Sequence, residues 1–417
     1  MTGTAGTATS EVIRAVHRRS APWPYAGLDV AAMVRRGWRP TPIHDVVLKV
    51  HQRCNLACDY CYVYEHADQS WRRRPAVMAP EIWRAAVSRI RAHVCTHELA
   101  SIRVVLHGGE PLLYGPARLG ELADAIRAAM PDFCAVQIGL QTNGVRLDAA
   151  MAEVLIRHGI RAGVSVDGVA ENHDRHRRTR SGRGSFDAVA GALELMRAQY
   201  RAAYAGILCT VAPDTDPIEC YEQLAKFDPP MIDFLLPHAN WDQPPPGRDG
   251  GHRSYAGWLI AAFDHWYGPG SRVRVRLFED VMSLVLGGRS HGEQVGLSPS
   301  GVLVVESDGA IEQVDALKSA YEGACATGLD VRHHDFDSAL LDPGIVARQI
   351  GVEALPEECH RCELVEFCGG GHYAHRYRGG AGFRNPSVYC PDLKAFIRHV
   401  YLRVQSDLRQ LASMGEP

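Results

Sequence analysis

Strand-like and helix-like stretches alternate from residue 45 to residue 236, and this alternation limits the possible folds more than any other feature. Short apolar, often β-branched runs occupy residues 45–51, 102–107, 137–141, 162–166, 206–211 and 232–236. Segments with helical periodicity, among them 80–95, 118–130 and 186–203, lie between them. Strands joined by helical crossovers pair in parallel, so an α/β fold follows. Six such steps suit an open, partial (β/α)6 barrel better than a closed eight-stranded one. Side chains at the carboxyl ends of its strands would converge on one site.

Past Pro237 the pattern changes. Pro244, Pro245 and Pro246, followed by Gly247, Gly250 and Gly251, read as a linker. Two helical stretches (255–267 and 277–286) follow, then a β-hairpin over 301–306 and 310–314 that turns at Asp308 and Gly309. The expected organisation is an N-terminal extension over 1–43 with a mobile start, a barrel over 44–243, linker and bridging helices over 244–298, and a C-terminal unit over 299–417. At 417 residues and 46% hydrophobic, the chain can bury a large core. A net charge of −3 argues against general nucleic-acid affinity, and no apolar run is long enough to cross a bilayer. With no signal peptide the expected location is cytoplasmic, where twelve cysteines favour metal ligation over disulfides.

Seven of those cysteines have ligand spacing. Cys54, Cys58 and Cys61 share one loop after the first strand, with Tyr60 just before the last. Three thiolates can hold three corners of a 4Fe–4S cluster and leave one iron open to an outside ligand, whereas a fully ligated cluster usually draws on four cysteines. A zinc loop or buried thiols fit the same spacing. Cys359, Cys362, Cys368 and Cys390 form a second set with enough members for a closed cluster or a structural zinc site. Cys95, Cys134, Cys209 and Cys220 have no such spacing and read as buried or incidental thiols. Other strand ends carry polar groups. Gly108 and Gly109 allow close backbone approach to a ligand, and the Glu110 carboxylate can accept from an ammonium group. Gln141, Asn143 and Ser165 end the next two strands, where amide and hydroxyl groups suit ribose and carboxylate recognition.

The Cys54–Cys58–Cys61 spacing, together with Gly108-Gly109-Glu110-Pro111 at the next strand end, resembles the radical S-adenosylmethionine (SAM) superfamily. That resemblance implies that the open iron chelates the amino and carboxylate groups of SAM. It further implies that Gly108, Gly109 and Glu110 meet the methionyl amino group, that Gln141 and Asn143 lie near the ribose, and that Ser165 and Arg177 bind the carboxylate. The second cysteine set resembles the SPASM extension of radical SAM peptide maturases, which carries auxiliary 4Fe–4S clusters. The family has further cysteines at the places held here by Val314 and His372. One auxiliary cluster is therefore expected, on Cys359, Cys362, Cys368 and Cys390. Cys325 and His372 are the candidates for a partial second site, although His372 reads better as a packing residue.

Residues 49–54, 62–71, 306–309 and 385–393 look more narrowly like peptide cyclophane synthases of the FxsB type. Such enzymes join an aromatic ring carbon to the β-carbon of a residue two positions on, in a ribosomally made precursor peptide. The resemblance implies an electron donor such as a flavodoxin or ferredoxin, reductive cleavage of SAM, and removal of a peptide β-hydrogen. The carbon radical then adds to the ring, and the adduct loses one electron, for which the auxiliary cluster is the expected acceptor, and one proton. Asp315 is the first candidate for the base and Glu306 the second. The arginine-rich stretch 175–183 could hold an acidic leader peptide, and Trp71 and Trp241 could line a peptide channel. Thioether or formylglycine formation on the same scaffold is the alternative reading. A non-catalytic iron–sulfur or zinc protein is the alternative of a different class.

Overall fold

The computed structural model describes residues 11–13, 15–17, 22–247, 254–269 and 273–414. The expected mobility of the chain's start and the linker glycines Gly250 and Gly251 lie outside the described residues.

All the predicted strands form, and they pair in parallel in sequence order: β1 (Asp45–His51), β2 (Ser101–Gly108), β3 (Ala135–Thr142), β4 (Ile160–Ser165), β5 (Tyr204–Thr210) and β6 (Met231–Leu235). Helices cover the sheet with apolar stripes. Pro80–Thr96 begins with Pro80, which needs no amide partner there, and buries Ile82, Trp83, Ala86, Val87, Ile90 and Val94 at helical spacing. The helix expected over 186–203 ends at Ala198, and a separate turn, Arg201–Ala203, leads into β5.

The sheet is wider than the sequence pattern indicates. β7 (Arg274–Val275) adds to β6 in parallel. On the opposite edge β8 (Val302–Val305) pairs in parallel with β1, so that Asp45 lies between Arg103 and Val302. β9 (Ala310–Glu312) and β10 (Ala326–Asp330) continue the sheet in antiparallel fashion, giving ten strands among the described residues. The hairpin predicted as part of a separate C-terminal unit thus closes the open edge of the barrel sheet. An uncovered β1 would expose a row of unpaired backbone groups, and the apolar run from Val302 to Val305 supplies the missing partner.

A buried ionic network fastens that hairpin to the barrel. Lys49 on β1 and Lys318 after the hairpin are 0% and 1% exposed, so both must be paired. Lys49 Nζ donates to Asp315 Oδ2 at 2.5 Å, and Lys318 Nζ donates to Glu306 Oε1 at 2.6 Å. Arg74 bridges Glu306 at 2.6 Å and Glu312, while the Gln52 amide also donates to Glu306. Three cations face three carboxylates. Burial pushes the Glu306 carboxyl up, but Lys318, Arg74 and Lys49 outweigh it and hold the group well below the usual range.

The C-terminal helix, Cys390–Met414, packs on Tyr255–Trp266 and Arg276–Val285. Phe263, Phe278 and Phe396 meet there, with ring centroids 5.5 Å apart for the first pair and 5.7 Å for the last. No described helix is long and apolar enough to cross a membrane.

The network generates a stability prediction. Lys318→Met leaves Glu306 and Glu312 under-compensated in the interior, and chemical denaturation should show a loss of about 3–5 kcal/mol. A loss below about 1 kcal/mol would mean that the hairpin is held by its apolar contacts alone.

Candidate active site

The carboxyl ends of β1 to β6 surround a cavity of about 250 Å³. Cys54, Cys58 and Cys61 line one wall, and Tyr60, Gly108, Gly109, Gln141, Asn143, Ser165 and Arg177 line the rest. The structure therefore gathers ten of the sequence-predicted residues around one space. β1 has a register shift between Lys49 and His51 at its end, just before the cysteine loop. Only glycine fits at position 109, since a Cβ there would collide with Tyr64 Oη and the Arg53 backbone. The amides of Gly109 and Glu110 donate to the carbonyls of His51 and Arg53 at 2.8 and 3.0 Å, locking the two strand ends together.

Electrostatics tests what the three thiols can hold. Burial pushes Cys54 up to about 11 and Cys58 up to about 12, so as free groups they would be protonated at neutral pH. Thiolates gathered this way require a bound cationic centre, whose binding then releases protons. Asn143 Nδ2 donates toward Cys54 Sγ at 3.5 Å and to Asn55 Oδ1 at 2.8 Å, orienting the loop. Gln141 Nε2 donates to Ser165 Oγ at 2.8 Å, so these two predicted contacts form one polar unit.

Glu110 is placed differently from expectation. It is 0% exposed and turned away from the cavity. Its carboxylate accepts from the backbone amides of Leu112 (2.9 Å) and Asn143 (2.8 Å) and from Thr142 Oγ1 (2.7 Å). It positions the strand ends, while the glycine backbone faces the cavity.

Asp167 was missed as a site residue although it lies in the run containing Ser165. It is buried and accepts from Tyr60 Oη, Arg177 Nε at 2.8 Å and the Thr210 amide at 3.0 Å. The Arg177 guanidinium also sits over the Tyr60 ring, 5.6 Å from its centroid. Burial raises the Asp167 carboxyl, but Arg177 and these donors outweigh it and keep the group ionised. One carboxylate therefore aims both Tyr60 and Arg177. His107 and His238, at the end of β2 and just beyond β6, also line the cavity and were missed.

The second cysteine set also converges. Cys359, Cys362, Cys368 and Cys390 line a cavity of about 220 Å³, with no imidazole or carboxylate acceptor beside the thiols other than Glu358. Burial raises Cys359 to about 11 and Cys368 to about 12, the same sign as in the first loop. Gly369 ends the Cys368 turn in the left-handed region (φ +58°), and a Cβ there would strike the Gly296 carbonyl. Cys325 does not join a site: its buried thiol donates to the Val314 carbonyl at 3.2 Å. His372, expected to pack, lies beside His238 and His375.

The remaining candidates lie outside these cavities. Asp315 and Glu306 belong to the ionic network. Trp71 packs edge-on to Tyr64, and the Trp241 Nε1 donates to the Pro386 carbonyl at 2.8 Å. Arg175 pairs with Asp214, and Arg178 donates to the Asp174 carbonyl at 2.7 Å.

A parallel barrel, a three-cysteine loop and a glycine strand end come together here, and residues 48–227 match the model of the Radical SAM superfamily. Among curated proteins it is similar to the cysteine-type anaerobic sulfatase-maturating enzyme of Clostridium perfringens, with 24% identity over 389 residues covering 87% of this chain and 97% of that enzyme. It is also 21% identical to the serine-type enzyme of Bacteroides thetaiotaomicron over 390 residues, 86% of this chain and 89% of that one. Among solved structures, an anaerobic sulfatase-maturating enzyme with bound SAM superposes with a TM-score of 0.73 at 23% identity, covering 87% and 98% of the two chains. Streptococcus suis SuiB bound to its precursor peptide SuiA gives 0.58 at 13% identity, covering 86% and 78%. SAM and 4Fe–4S clusters are the cofactors of this fold. The two all-thiol sets fit them, one open to the strand-end cavity and one closed.

Two clusters correspond to about eight irons per chain. Cys58→Ser and Cys368→Ser should each remove about half the iron, and only the first should abolish SAM cleavage. Asp167→Asn should keep the iron but weaken SAM binding about 10–100-fold by releasing Arg177 and Tyr60, as read by equilibrium dialysis.

Proposed function

We propose that the protein matures a ribosomally made peptide by joining an aromatic ring carbon to the β-carbon of a residue two positions on. The observation that carries this reading is a second cavity of about 560 Å³ that meets the strand-end cavity at Tyr62, Leu235, Leu236 and His238. It is large enough for side chains of a bound peptide beside the reacting centre. Peptide substrates are supported by the similarity to sulfatase-maturating enzymes and to SuiB. A crosslink is favoured because one four-thiol set, not two, is gathered among the described residues.

Bound together, SAM and the cluster on Cys54, Cys58 and Cys61 supply hydrogen-atom abstraction from an unactivated carbon. Gly108, Gly109, Gln141, Asn143, Ser165 and Arg177 hold and orient SAM, with Glu110 and Asp167 positioning them. Cys359, Cys362, Cys368 and Cys390 hold the auxiliary cluster. The ring adduct must surrender a proton, and we assign its acceptor to Asp315 ahead of Glu306. Asp315 Oδ1 accepts no hydrogen bond, and the carboxylate lies 3.9 Å from His107 Nδ1, which lines the strand-end cavity. Glu306 is fully enclosed by Lys318, Arg74 and Gln52. A flavodoxin or ferredoxin would supply the reducing electron.

Formylglycine formation is the second reading, favoured by the curated relatives matched over most of their length. Anaerobic reaction of the iron-loaded protein with SAM, reductant and the peptide encoded beside its gene separates the two. The crosslink appears as a loss of two hydrogens with fragmentation suppressed between an aromatic residue and the residue two places on. An aldehyde captured by a hydrazine probe would replace this reading with the second. In the first case Asp315→Asn should lower crosslinking on the order of 100-fold while deoxyadenosine still forms, and unchanged crosslinking would remove Asp315 from the mechanism.

A further inference from the structure

His238, just beyond β6, meets His372 and His375, which stand three residues apart in the C-terminal part of the chain. Each offers one ring nitrogen within 4.8 Å of the other two. Their rings stand close, with centroids 5.0 Å apart for His372 and His375 and 5.5 and 5.8 Å apart for His238 with each of them. Both ring nitrogens of His375 are buried without a hydrogen-bond partner although the residue is only 4% exposed, and His238 Nδ1 is likewise unpartnered. Buried polar atoms left without partners cost free energy and are uncommon in folded interiors. These orphaned nitrogens belong to two of the three histidines, and one nitrogen of each of the three rings lies within reach of a common ligand.

We propose that His238, His372 and His375 bind a single divalent transition-metal ion of the zinc class through three imidazoles, with an open position toward the larger cavity. Three imidazoles plus one open position is a recurrent coordination set for such ions, and imidazole suits zinc, iron, nickel and copper. All three histidines line the cavity of about 560 Å³, so the open position faces space for water or substrate. Burial lowers the histidines' proton affinity, to about 3 for His238 and about 4 for His372, so the imidazoles are neutral and their lone pairs available at physiological pH. The Ala374 amide lies 3.2 Å from His372 Nδ1, at the long end of the hydrogen-bond range, and coordination replaces that contact. The nearby Glu293 carboxylate is already paired with Arg348.

A second cluster shows the contrast. His93 and His97 both hydrogen-bond Asp337 Oδ1, at 2.7 and 2.8 Å, and His93 Nε2 accepts from the Ile43 amide at 2.9 Å. Its histidines are satisfied by the protein itself and need no ion. Of these two clusters, the triad beside the cavity is the one that combines unpartnered nitrogens with open space.

The test uses the full chain with its iron sites loaded, stripped of loosely held metal and then dialysed against Zn²⁺. About one zinc per chain should be retained with iron content unchanged, and zinc X-ray absorption should show a nitrogen and oxygen shell with imidazole scattering. His375→Asn and His372→Asn should each weaken zinc binding at least about 100-fold at unchanged iron content. A sulfur shell, meaning that zinc has entered a cysteine site, would overturn the proposal. So would no retained zinc, or full affinity in an iron-loaded His375→Asn protein. If that variant does not fold, the absorption spectrum of the unaltered chain decides alone.

Discussion

The exchange of charge between Lys49, Arg74 and Lys318 on one side and Glu306, Glu312 and Asp315 on the other is the constraint on which the rest of the structure depends. Its members come from β1, from the loop after the cysteines and from the C-terminal hairpin. None could be buried alone, because an uncompensated ion in the interior costs several kcal/mol. Satisfying all of them requires β8 to lie beside β1. That docking covers the open sheet edge, and the C-terminal part also places His372 and His375 beside His238, just beyond the end of β6.

From that geometry the division of labour follows. The glycine backbone at 108 and 109 and the polar side chains at 141, 143, 165 and 177 face one cavity, and two buried carboxylates, Glu110 and Asp167, aim them without entering it. Each of these carboxylates answers several donors at once, which is how a buried acid can be retained. Four more thiols sit in a separate pocket under the helix that starts at Cys390, held by the Phe263, Phe278 and Phe396 contacts.

Much of this was legible in the chain. Strand and helix periods gave the order of the barrel elements, and the cysteine spacings gave both thiol sets. What the chain left open has a common cause. Glu110 looked like a ligand contact because a carboxylate after two glycines can face either way, and only the amides of Leu112 and Asn143 decide which. His372 reads as a hydrogen-bonded packing residue, and its Nδ1 does accept from the Ala374 amide; what docking of the C-terminal unit adds is His238 beside it and His375. The arginine-rich loop could be read as a leader grip or a solvated loop, and in the fold Arg175 and Arg178 are engaged locally.

The sequence by itself determined the parallel barrel and the two sets of closely spaced thiols, because periodicity and short spacing are local properties that survive in one dimension. Only the tertiary structure decided that the hairpin extends the barrel sheet, that Asp167 holds Tyr60 and Arg177 together, and that His238 meets the His372–His375 pair. Each depends on contacts between segments tens to hundreds of residues apart. These form because buried charges and unpaired strand edges must find partners, wherever in the chain those partners lie.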